Sequence, residues 1–154
     1  MGRGHKERRV VDDVALANYR LGSSFDNVDA GSLDSFLARL LGVKPGTTIW
    51  LSDYTFIKLD HKHDRLSFEH YNLMPDILLR GYVAVGRNAN VLELWWADEL
   101  QYHGLYGLAL VLKATKRLEV FVETFHPIDR KEAGRLLRKA CRENRLRRSQ
   151  VVHN

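Results

Sequence analysis

The hydrophobic period of the chain changes at Gly81, and this limits the fold more than any other feature of the sequence. Before Gly81 the pattern is helical. Leu33, Phe36, Leu37, Leu40 and Leu41 recur three and four residues apart, with Ser32 available as a cap and Gly42 as a stop. Lys44-Pro45-Gly46 is a turn, and residues 48–51 read as a short strand. Ser52 or Asp53 can cap a second helix over 53–63, with Phe56, Ile57 and Leu59 as its apolar part. A third helical stretch covers 66–80, broken or restarted at Pro75, whose ring cannot sit inside a helix.

After Gly81 the period falls to two. Residues 82–85 and 91–96 read as strands around a turn at 87–90. Residues 105–113 and 117–125 form the clearest hairpin, joined by Ala114-Thr115-Lys116. Strict alternation puts Leu118, Val120, Val122 and Thr124 on one face, and Glu119, Phe121, Glu123 and Phe125 on the other. Pro127 closes the sheet, and Asp129 can cap a last helix striped by Ala133, Leu136, Leu137, Ala140 and Cys141. Helices, then strands, then one helix predict an α+β fold. The expected sheet has about four antiparallel strands packed against N-terminal helices, with a basic C-terminal helix. Residues 1–47 read as an N-terminal extension with a short helix, 48–146 as the main domain, and 147–154 as a basic tail.

Composition narrows the setting. At 154 residues and 45% hydrophobic, the chain can bury a real core. It has no apolar run of the ~18 residues needed to cross a bilayer, so no membrane partner is expected. No apolar region follows the basic start Met1-Gly2-Arg3-Gly4-His5-Lys6, so no signal peptide is read. Cys141 stands alone, which fits a reducing, cytoplasmic setting. The net charge of +5 is unevenly spread. Between Arg130 and Arg148 lie nine basic residues against Glu132 and Glu143, more than the whole excess. Such clustering suits phosphate binding, and it also suits a solvated helix face.

The densest polar cluster is Lys58-Leu59-Asp60-His61-Lys62-His63-Asp64. On a helix, Lys58, His61 and Lys62 share a face. A histidine can move a proton near neutral pH, and a lysine beside it can stabilise an oxyanion. The same residues also fit a charged, solvent-facing helix end. Zinc on Asp60, His61, His63 and Asp64 is weaker, because helical zinc sites favour histidines four apart. Thr124 and His126 end the last strand. Trp50, Trp95 and Trp96 offer rings for base stacking, although rings of this size more often fill cores. No Gly-rich phosphate loop, nucleophile elbow or dinucleotide fingerprint is present, so no cofactor and no metal are predicted.

Two runs, Trp50-Leu51-Ser52-Asp53-Tyr54-Thr55-Phe56-Ile57-Lys58-Leu59-Asp60-His61-Lys62-His63 and Tyr71-Asn72-Leu73-Met74-Pro75-Asp76-Ile77-Leu78, together with the strand end Val122-Glu123-Thr124-Phe125, resemble phage-type nuclease domains of the barnase–EndoU–colicin–RelE superfamily. The resemblance covers about residues 48–142. It implies a metal-independent endoribonuclease, toxin-like or phage-associated, that acts on RNA through the 2′-hydroxyl. Its partners would be RNA and an antitoxin or immunity protein. By the same resemblance His63 is the acid or base, with His61 as rival. Lys58 stands where many relatives carry histidine and would hold negative oxygens, with Lys113 as a second. Thr124 would hydrogen-bond the phosphate. Arg135, Arg138 and Arg142 would bind flanking phosphates. A non-catalytic nucleic-acid-binding or protein-interaction domain on the same fold is the alternative.

Overall fold

A computed structural model describes residues 27–62, 66, 68–98 and 105–151. Local signals set most of the elements. Strand β1 (Val28–Ser32) precedes helix α1 (Ser35–Leu41). The cap of α1 is Asp34, whose carboxylate accepts from the Leu37 amide at 2.8 Å; Ser32 instead ends β1. Gly42 closes α1 at φ 74°, a left-handed conformation that suits glycine. Strand β2 (Thr48–Leu51) leads into α2 (Asp53–Lys62), where the Ser52 hydroxyl accepts from the Thr55 amide at 3.1 Å. Pro75 starts a helix rather than breaking one: α3 (Phe68–Tyr71) stops, and α4 (Met74–Arg80) begins with Pro75 in its first turn. Then come β3 (Tyr82–Val85), β4 (Val91–Ala97), β5 (Gly107–Ala114) and β6 (Val120–Ile128). Helix α5 (Arg130–Arg142), capped by Asp129, and β7 (Leu146–Arg148) complete the chain.

The sheet corrects the expectation of about four antiparallel strands packed on N-terminal helices. It has seven strands in the order β1-β2-β6-β5-β4-β3-β7, and it is mixed. β3 to β6 form an antiparallel meander, but β2 runs parallel to β6, with Ile49 beside Val120 and Trp50 beside Phe121. That contact joins segments some seventy residues apart, and no local pattern announces it. Residues 28–47, which the sequence sets apart as an extension, contribute β1 and α1 to the same sheet and core. The outermost strand β7 reaches into the stretch read as tail.

Each face of the sheet carries its own layer. On one face Leu92, Leu94, Leu108, Leu110, Leu112, Val120, Val122 and Phe125 meet α1 to α4 in the larger core. Tyr71 lies between Phe56 and Phe125, with ring centroids 5.2 and 5.5 Å away, and all three are almost fully buried. Burying each such ring is worth roughly 1.5–3 kcal/mol. The sheet curves around α4, which packs against both β1 and β4. At Gly31 the backbone takes φ 138°, a conformation that L side chains rarely adopt, so this bend of β1 favours glycine; a β-carbon there would also press on the movable Cδ1 of Leu78 at 2.8 Å. Arg148 of β7 donates to the carbonyls of Gly81 and Leu78 at 2.9 and 3.0 Å, and its guanidinium lies 5.9 Å from the Phe36 ring of α1. On the other face Ala84, Trp95, Ala109 and Ile128 meet Ala133, Leu136, Leu137 and Ala140 of α5, a smaller core. No helix among the described residues is long and apolar enough to cross a membrane.

Candidate functional site

The candidate residues divide between the two faces of the sheet, and a β-bulge in β6 causes the division. Leu110 faces Phe125 and Val111 faces Thr124, but Leu112 faces Val122. Glu123 is the extra residue, and it reverses the alternation for everything after it. Val120, Val122 and Phe125 therefore point into the helical core, while Phe121 and Thr124 point to the opposite face. This corrects the expected grouping of Thr124 with Val120 and Val122. Leu118 leaves that group too: it lies in the turn at φ 62° and is 56% exposed.

Lys58 lies on α2, which packs on β6 from the helical side. Its exposed amine donates to the carbonyl of Glu123 at 3.4 Å, beside Thr124 in the chain. This edge of β6 is open because β2 pairs only with Val120 and Phe121 before the chain turns into α2. Lys113 is exposed on β5, across from Phe121, and so shares the face of Thr124. His61 belongs to the last turn of α2. His63 lies outside the described residues. So do the side chains of the zinc set, Asp60, His61, His63 and Asp64.

Arg135, Arg138 and Arg142 form one exposed stripe on α5, turned away from the residues that bury against the sheet. The stripe and Lys58 therefore stand on opposite sides of the sheet. Some of the other C-terminal cations have structural tasks. Arg145 donates to Glu143 at 2.7 Å and to Glu93 at 3.1 Å, and Arg87 donates to Glu143 at 2.9 Å. Hydrogen bonds from Arg145 and then Arg87 lower the Glu143 pKa. Burial works against the charge of Arg145, yet its bonds to Glu143 and Glu93 prevail and raise its pKa. Arg148 is pushed down by burial, against the pull of Asp34.

Two features escape a reading of the sequence. One is the backbone of Glu123, placed by the bulge. The other is Phe121, which the pairing of β2 with β6 sets beside Trp50 on the face that carries α5. Alternation alone turns Phe121 away from Val120 and Val122, but nothing local names its neighbour. The chain matches no family model, no curated protein and no solved structure.

Proposed function

We propose that this protein is a metal-independent endoribonuclease that works at the open edge of β6. The observation that carries the reading is the Lys58 amine at the Glu123 carbonyl, one residue from Thr124. A phosphate at this edge would meet an ammonium from the α2 side and a hydroxyl from the strand itself. His61 follows Lys58 by three residues on α2, and His63 follows it in sequence. In this reading the histidine takes the proton of the 2′-hydroxyl, whose oxygen attacks the adjacent phosphorus. The 5′-oxygen leaves with the proton returned by that imidazolium, giving a 2′,3′-cyclic phosphate. Lys58 stabilises the charge gathering on the non-bridging oxygens, and Thr124 donates to one of them. The Arg135, Arg138 and Arg142 stripe holds phosphates farther along the strand. The resemblance in sequence supplies RNA as substrate and, for a toxin, an antitoxin or immunity protein as partner.

The test is end-labelled RNA incubated with the protein in EDTA. Cyclic-phosphate ends that vanish in His63→Ala and fall sharply in Lys58→Ala support the proposal. Intact RNA under all conditions sinks it. One observation favours a second reading, a binder without turnover: Lys58 and Thr124 approach β6 from opposite faces. Salt-dependent RNA binding with no cleavage selects that reading.

A further inference from the structure

Among the described residues, α5 covers only part of the sheet face on which it packs. The helix buries Ala84, Trp95, Ala109 and Ile128 beneath it. Trp50, Phe121, Val111 and Val91 are half-buried on the same face and, among the described residues, join neither core. Register places them in rows. Trp50 of β2 lies beside Phe121 of β6, Phe121 opposite Lys113 of β5, and Lys113 opposite Val91 of β4. Neighbouring strands are ~4.8 Å apart, so the two aromatic residues occupy adjacent positions on this face, with Lys113 on the next strand. Val111 and Thr124 form the following rung.

The charge around this row is mainly positive. Exposed Lys116 and Arg117 occupy the β5–β6 turn at the same end of the sheet. The C-terminal end of α5 arrives there as well, where Arg87 bonds Glu143. Of the acids nearby, Glu93 and Glu143 are tied to Arg145, and Asp29 beside Trp50 turns a carboxylate oxygen onto the Gly31 amide at 2.9 Å. Glu119 in the turn and Glu123 at the bulge are exposed. Flat rings beside cations suit a ligand with both π-faces and negative charge.

We propose that Trp50 and Phe121 form a stacking platform for successive bases of single-stranded RNA, with the intervening phosphates on Lys113 and the cations of the β5–β6 turn. Sequence-tolerant stacking on adjacent aromatics, with a cationic track for the backbone, is how single strands are commonly held. The inference deepens the RNA reading by naming the bases as ligand. It rests on that reading's substrate, not on its chemistry.

The experiment uses the full chain and a short fluorescein-labelled 2′-O-methyl oligouridylate, which has no free 2′-hydroxyl to react. Wild-type protein binds it at low salt, and tryptophan emission is quenched as the complex forms. Trp50→Ala and Phe121→Ala each weaken binding about tenfold, the loss of one stacked base. Trp50→Phe keeps a ring and recovers most of the affinity. Urea midpoints near wild type show that these variants fold. Unchanged affinity in both alanine variants overturns the platform, as does no binding at low salt. So does a Trp50 already shielded from acrylamide in the free protein, which would mean that other protein covers it. RNA cleavage that persists in variants with unchanged binding removes the platform and leaves the ribonuclease. Trp50-dependent binding without cleavage leaves the platform and removes the ribonuclease.

Discussion

The Lys58 amine reaches the Glu123 carbonyl at 3.4 Å across 65 residues of chain, and it does so at the bulge that turns Thr124 to the other face of β6. If a phosphate is held there, Lys58→Ala lowers single-turnover RNA cleavage by about 100-fold, the scale of one charge-stabilising group. Lys58→Arg retains part of the rate, because the cation stays. Thr124→Val costs less, about tenfold, for one neutral hydrogen bond. Lys58 is exposed, so Lys58→Ala changes the free energy of urea unfolding by no more than about 0.5 kcal/mol. Equal rates in wild type and Lys58→Ala would remove this residue from the chemistry.

Phe125 is the link between the bulged strand and the helical core. It is fully buried, and its ring centroid is 5.5 Å from that of Tyr71. Phe125→Ala should lose about 3–5 kcal/mol in chemical denaturation, from lost transfer energy and the cavity left behind. Phe125→Leu should lose clearly less.

Arg148 ties β7 to the end of α4. Its guanidinium donates to the Gly81, Leu78 and Ile77 carbonyls at 2.9, 3.0 and 3.4 Å. Arg148→Met keeps much of the side-chain bulk but removes this donor from the Gly81 and Leu78 carbonyls, while the Ile77 carbonyl keeps the Gly81 amide. The expected loss is about 1–3 kcal/mol, measured by urea unfolding.

The Glu143 carboxylate gives a dependence on pH. Hydrogen bonds from Arg145 and Arg87 hold its pKa below the ordinary range. A group whose pKa is depressed by folding adds stability above its unfolded pKa, and loses it as pH falls through the folded one. Glu143→Gln therefore lowers the thermal midpoint near neutral pH, and the gap from wild type narrows as acid is added. Parallel thermal melts across that range measure it. A gap that widens toward acid would contradict the pairing.

Much of the local structure is legible in the residues. Asp129 does cap α5, Pro75 does start a helix, and the strands over 82–85 and 91–96 fall within a residue of their places. Such signals are local: a carboxylate reaches an amide three residues on, and a proline removes one donor. Ser32 shows the limit. It can cap a helix, but β1 claims it through pairing with Thr48.

The sequence by itself determined the alternation of helices and strands, the basic C-terminal segment, and the side chains on offer for chemistry. Only the tertiary structure decided how those side chains group. The β2–β6 pair, the bulge at Glu123 and the face on which α5 lands all depend on contacts between distant segments. One extra residue in a strand carries every later side chain through the sheet. Thr124 and Lys113 therefore share a face with Trp50 and Phe121, while Lys58 comes from the other side.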